Sequence, residues 1–198
     1  MFAVLTGMGL SAAAGLNAYI PFLIVALIAR FTDLVTLPAA SVWMESWWAI
    51  GAGVVLLVTE VVLDKIPGVD SVNDVVQTVI RPAMGGVVFS ATSAASQLDG
   101  STWLQEHAWV GVVLGILLSG IVHSGKAVAR PAINAGTVGF GAPVVSSIED
   151  TASVGLSLVA LFIPLLVVVA LAVIAVALWR IWSSMRRWRR QRAVPAIT

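Results

Sequence analysis

The chain contains no cysteine and only one tyrosine, and just 11% of its 198 residues are charged. The lack of cysteine excludes disulfides and thiolate metal sites and leaves the redox compartment unread. The shortage of charge excludes more, since a soluble domain carries roughly 25% charged residues. A chain that is 59% hydrophobic, with a mean hydropathy of +1.00, is too small to hide that much apolar surface from water. Lipid must replace water around its outer face, which makes this a polytopic membrane protein. The opening run MFAVLTGMGLSAAAG has no Lys or Arg before its apolar residues, unlike a cleaved signal, so the first segment is expected to stay in the mature protein.

A membrane crossing takes about 20 residues at about 1.5 Å each. The sequence predicts five long transmembrane helices, over residues 7–29, 48–63, 83–98, 109–125 and 151–178, with a polar turn at 99–107. A broken or re-entrant segment is expected over 131–148, where Pro131, Gly136, Gly139, Gly141 and Pro143 interrupt a charge-free stretch. The fold class is all-α: one transmembrane domain over 1–178 and a basic tail over 179–198.

Within these stretches the small and polar residues fall into registers. Gly7, Ser11 and Gly15 recur every four residues, a face on which helices approach closely. Pro21 is expected to kink that helix and free the carbonyl of Asn17. Trp43, Trp47 and Trp48 read as an aromatic belt where an external loop returns to the bilayer. Ser71 and Asp74 resemble a capping box, and Asp74, Thr78, Arg81 and Gly85 share one helical face, with a kink or helix end expected at Pro82. Gly111, Gly115, Ser119, His123, Lys126 and Arg130 form another face, which Pro131 is expected to terminate.

Charge is unevenly placed, with six of the eleven basic residues in the last nineteen positions. Five plain crossings cannot bring both this tail and Lys65, Arg81, Lys126 and Arg130 to the cytoplasm. If 131–148 crosses as a sixth segment, both termini are cytoplasmic and every basic residue except Arg30 lies inside or near the inner interface. Five plain spans with the N-terminus outside form the rival arrangement. A possible inverted repeat accompanies the six-crossing reading: residues 48–65 lie over 109–126, and PGVDSVND at 67–74 lies over PVVSSIED at 143–150.

Isolated charges at membrane depth are costly, so they are expected to pair with one another or to face a solute. The candidate substrate-binding residues are Asn17, Asp64, Lys65, Asp70, Asn73, Asp74, Arg81, His123, Lys126, Arg130, Glu149 and Asp150. His123, Lys126 and Arg130 suit a phosphate, carboxylate or other anion, whereas the carboxylates suit protons or cations. His123 titrates nearest to neutral pH and is a relay candidate. Glu60, one turn before Asp64, reads first as a carboxylate reaching the interface, with a buried functional role as the alternative. Asp70, Asn73 and Asp74 at i, i+3 and i+4 are weak candidates for a divalent metal, but no nucleophile with an adjacent base accompanies them. No cofactor is implied.

The tail WRIWSSMRRWRRQR interleaves tryptophan with arginine, as an interfacial helix on an anionic cytoplasmic leaflet would, and nucleic acid is not expected as a partner. Small-residue faces predict a homodimer. The leading functional expectation is a cell-membrane transporter, channel or lipid flippase. A non-transporting scaffold is the alternative, and a metal-dependent lipid-processing enzyme is the third reading.

Taken together, GLNAYIPF, IPGVDSVNDVVQTVIRPAMGG, HSGKAVARPA and PVVSSIED resemble the bacterial family of small membrane proteins grouped as domain of unknown function 4126. The resemblance covers about residues 9–164 and implies a multispanning membrane protein defined by these polar motifs. It implies no activity.

Overall fold

The computed structural model describes residues 2–93, 106–138 and 140–192. Seven long helices run through it, with no strand among the described residues: α1 Phe2–Leu16, α2 Tyr19–Phe31, α3 Trp47–Leu63, α4 Val69–Ser93, α5 Ala108–Gly136, α6 Gly141–Phe162 and α7 Leu165–Arg192. The expected turn at 99–107 and the end of the expected third span lie largely outside the described residues, as does the end of the tail.

Helix α1 is the centre of the bundle, with nine of its fifteen residues buried. Its small residues allow neighbours to approach closely on two sides. Gly7 lies under the Phe89 ring, Ser11 Oγ donates to the Gly85 carbonyl at 2.9 Å, and Gly15 faces Ser119 and Val122. Gly9 faces Ala160 and Val167, and Ser153 Oγ donates to the Ala13 carbonyl at 3.0 Å. The Gly7, Ser11, Gly15 face is therefore a packing seam occupied within the chain. These contacts also fix directions: α4 runs against α1, α5 against α4, α6 against α5 and α7 against α6.

Helix α2 does not continue α1. Its Phe22, Val25 and Ala26 join Leu10 of α1, Val88 and Ala91 of α4, and Ala49 and Ile50 of α3 in one apolar core. The chain therefore turns back at Asn17 and Ala18, and α1 and α2 form a helical hairpin with its tip inside the bundle. Helix α3 then returns along α2, with Gly53 against Phe22 and Leu23, and ends beside that tip. Trp43, Trp47 and Trp48 cluster at the opposite end of this pair, where Arg30 lies 4.1 Å from the centre of the Trp47 ring.

Among the described residues, only α5 over Trp109–Gly136, α6 over Gly141–Phe162 and α7 over Leu165–Ser184 are both long and apolar enough to cross a membrane, three helices and not the five expected. The differences have physical causes. The first expected span breaks at Asn17, whose side-chain Oδ1 accepts from the Tyr19 and Ile20 amides at 3.1 and 3.2 Å and starts a new helix. Pro21 then sits in the first turn of α2, where its missing N–H is not needed, and so produces no kink. Helix α3 is apolar but has only 17 residues. The first half of α4 carries Asp70, Asp74 and Arg81, which lower its hydropathy.

The proline expectations also change. Pro82 and Pro131 both lie inside continuous helices. The last turn of α5 is held beyond Pro131 by Asn134, whose Nδ2 donates to Asp70 Oδ2 at 2.6 Å. The expected broken segment at 131–148 is therefore the end of α5, a short turn and the start of α6. The real break in the last expected span comes at Pro164, which leaves the Ala160 carbonyl without its helical donor. Thr6 Oγ1 supplies one at 2.9 Å.

Nor do the two acidic motifs face opposite ends. Helices α4 and α6 start at the same end of the bundle and run in the same sense, so the proposed duplication is not inverted. The outer surface is apolar: Val72, Val75, Val76 and Val79 on α4 are all more than half exposed, and α7 is almost entirely unburied over its apolar run.

Candidate functional site

Helix ends and buried charges meet at the hairpin tip. The last carbonyls of α1 have no intrahelical donor and carry the negative end of its dipole. Two cations cap them: Arg81 Nη1 donates to the Gly15 carbonyl at 3.2 Å, and Lys126 Nζ donates to the Leu16 carbonyl at 3.0 Å. Arg81 comes from the middle of α4 and Lys126 from α5, each on the face that the close Gly85–Gly115–Ser119 packing turns toward α1. Ser119 Oγ also donates to the Arg81 carbonyl at 2.8 Å, next to the proline of α4.

Asp64, immediately after α3, is the hub. Its Oδ2 accepts from Arg130 at 2.8 Å, Lys126 at 3.2 Å and Arg81 at 3.4 Å, and its Oδ1 accepts from Asn73 Nδ2 at 2.9 Å. Glu60, one turn earlier, accepts from Arg81 Nη2 at 2.6 Å and Nε at 3.2 Å. From α6, Glu149 Oε2 lies 2.6 Å from Arg130 Nη2 and 2.9 Å from Lys126 Nζ. His123 bridges α5 and α4, with Nε2 3.1 Å from Thr78 Oγ1 and Nδ1 3.5 Å from Arg81 Nη1. Removing such charges from water costs several kcal/mol each, about what well-placed partners return.

Eight of the candidate residues thus join one network: Asp64, Asn73, Asp74, Arg81, His123, Lys126, Arg130 and Glu149. Asn17, Lys65 and Asp150 form a short chain at its edge. Asn17 Nδ2 donates to Asp150 Oδ1 at 2.9 Å, and Lys65 Nζ lies 3.4 Å from Asp150 Oδ2. Asp70 stands apart: it accepts from the Gly68 and Ser71 amides at 2.8 and 2.7 Å and ties α4 to Asn134. With Asn73 turned to Asp64 and Asp70 turned to Asn134, the suggested metal set does not converge. Among the described residues no three His, Cys, Asp or Glu side chains form a metal site.

Glu60 is the main correction to the expected site. It is 2% exposed, and its carboxylate is bonded to the fully buried Arg81 in place of water. Its spacing from Asp64 placed both on one face of α3, and that was the signal available. Gln77, 3% exposed, was also missed, although it shares the buried face of Asp74 and Arg81.

The network is not fully satisfied. Both Asp74 side-chain oxygens, Glu60 Oε2, Gln77 Oε1 and Arg130 Nη1 are buried without a hydrogen-bond partner among the described residues. Asp74 Oδ2 stands 3.5 Å from Arg130 Nε. Such groups are costly unless they bind something or alternate between partners.

No curated protein and no solved structure is similar to the chain. The sequence profile of one family matches residues 4–184, nearly the whole chain and all of the charged network, and the protein accordingly belongs to the family described as Domain of unknown function (DUF4126).

Proposed function

We propose that the protein is a small membrane transporter in which an ion or small anionic solute passes through the charge network at the α1–α2 tip. The observation that carries this reading is the discontinuous hairpin, with dipole ends that meet exchangeable buried charges. Transporters use interrupted helices in this way to bind ions at mid-membrane, and irregular backbone is tolerated there only inside protein. The unpartnered oxygens of Asp74 and Glu60 and the free Arg130 Nη1 add groups that a passing solute would engage.

The membrane arrangement belongs to the same proposal. Helices α5 to α7, which are long and apolar enough to span, cross together with α3, whose apolar stretch of 17 residues falls just short, and α4, whose charged first half is sheltered in the bundle. The α1–α2 hairpin enters from one side and returns to it as a re-entrant pair. Lys65, the α5–α6 turn and the arginines of α7 then share one side, which the positive-inside rule makes cytoplasmic. The N-terminus and Arg30 lie outside.

Flux of protons, alkali cations, phosphate and carboxylates into proteoliposomes is the direct test. Wild type should move at least one of these, and Lys126→Ala and Asp74→Asn should each abolish the movement. A folded protein that moves none of them removes the reading. A scaffold is the competing function, favoured by the dense pairing around Asp64. It would leave flux at the level of empty vesicles while a partner co-purifies from native membranes.

A further inference from the structure

We propose that Asp74 is a proton-binding site, that it holds its proton at neutral pH, and that releasing this proton draws Arg130 away from Asp64 and Glu149. The inference begins with a charge count. The buried network has four carboxylates, Glu60, Asp64, Asp74 and Glu149, against three basic side chains, Arg81, Lys126 and Arg130. Lys65 and Asp150 balance each other at the edge. His123 contributes no charge, because its Nδ1 faces the Arg81 guanidinium at 3.5 Å and so acts as an acceptor. With every carboxylate ionised, the network would hold one uncompensated negative charge in a protein interior.

Geometry assigns the missing positive charge to Asp74. Asp64 and Glu149 have their cations at direct hydrogen-bond distance, and Glu60 receives two N–H groups from Arg81. Asp74 is 4% exposed and receives none. A buried carboxylate that receives no hydrogen bond, beside an arginine whose Nη1 is itself unpartnered, would pull that arginine in. A neutral carboxyl would not. Gln77, one turn further along the same buried face, has Oε1 free as an acceptor.

The surroundings explain how release would be sensed. On its own helix Asp74 is flanked by Asp70 and, two turns on, Arg81. Arg130, Lys126 and His123 face it from α5, and Thr78 links the two helices, donating to the Asp74 backbone carbonyl at 2.8 Å and lying 3.1 Å from His123 Nε2. Asp64 lies at the end of α3 and Glu149 on α6. Losing a proton to water leaves a carboxylate 3.5 Å from Arg130 Nε. Turning Arg130 toward it would loosen α6 from α5 at Glu149 and weaken one hold on Asp64. Occupancy of Asp74 stands apart from flux, whereas its use as a coupling proton rests on the transport reading.

Infrared difference spectroscopy of the full chain in lipid nanodiscs tests the site. The wild type should show the stretch of a protonated carboxyl at neutral pH that fades only at alkaline pH. The band should shift when aspartate alone is carbon-13 labelled, stay in place when glutamate alone is labelled, and vanish in Asp74→Asn. The labelled wild type decides the matter if Asp74→Asn fails to fold. Absence of the band, no shift on aspartate labelling, or survival of the band in Asp74→Asn overturns the proposal. A band with these properties and no proton flux would leave the site standing and remove its coupling role.

Discussion

Arg81 and Glu60 form a buried ion pair at 2.6 Å, with side chains 0% and 1% exposed. Removing one member leaves the other charged and unpaired, which costs about 3–5 kcal/mol in a protein interior. Arg81→Gln should therefore destabilise the protein by that order in a reversible unfolding titration in mixed micelles. Glu60→Gln/Arg81→Gln should lose clearly less than the sum of the single variants, since it buries no orphaned charge at this pair. Recovery should stay incomplete, because Arg81 also holds the Gly15 carbonyl and Asp64. Strict additivity would show that the two side chains are not coupled.

The absence of native cysteine makes the hairpin tip directly testable. Ala18 is fully buried at the break between α1 and α2, so Ala18→Cys should resist maleimide in the folded protein. Lys126→Met in the same background removes the cation that caps the Leu16 carbonyl and bridges Asp64 to Glu149. Opening of the tip should raise the labelling rate at least tenfold, with the helical circular dichroism unchanged. Equal rates in the two backgrounds would mean that Lys126 does not hold the tip closed.

Much of this site was readable because helix periodicity is rigid. Gly115, Ser119, His123, Lys126 and Arg130 had to share a face once α5 was a helix, and Asp74 and Arg81 had to share one on α4. The folding back at Asn17 was not readable by the same logic. An apolar run broken by one asparagine and one proline has the length and hydropathy of a crossing, and only the capping bonds of Asn17 to the Tyr19 and Ile20 amides make it two helices. That error propagated. A crossing at the start forced a compensating crossing at 131–148, where the chain in fact continues α5 and then turns. Glu60 was misplaced because proximity to the end of an apolar run resembles an interface, whereas a partner on another helix leaves no local trace.

Close packing of α4 on α5 sets the position of Arg81 relative to His123 and should tolerate no added volume. A Cβ on Gly115 would meet the Gly85 carbonyl, and one on Gly85 would lie 2.6 Å from the Gly115 carbonyl, so backbone would have to move in either case. Overpacking of this kind costs typically about 1–3 kcal/mol. Gly115→Ala should lower the apparent melting temperature in detergent and weaken labelling protection at Ala18→Cys. Gly51→Ala, where nothing lies within 4 Å of the new carbon, should do neither. Matching effects at the two glycines would remove the seam as an explanation.

Parity gives the last prediction. If α3 to α7 each cross as proposed, a re-entrant α1–α2 adds no crossing, and the N-terminus, the α2–α3 connection and the α6–α7 joint then share one side, with the α3–α4 turn, the α5–α6 turn and the basic end of α7 on the other. Single cysteines at Phe2, Leu34, Val138 and Ser184, all exposed, report on both sides. With an impermeant thiol reagent on intact cells, Phe2→Cys and Leu34→Cys should react, while Val138→Cys and Ser184→Cys should react only after permeabilisation. Six crossings would protect Phe2→Cys, and five plain spans starting outside would protect Leu34→Cys and expose the turn near Val138. Phe2 and Leu34 on the same side, with Val138 and Ser184 on the other, is the pattern in which the hairpin reconciles five crossings with the basic residues, because it removes the parity conflict without a sixth helix.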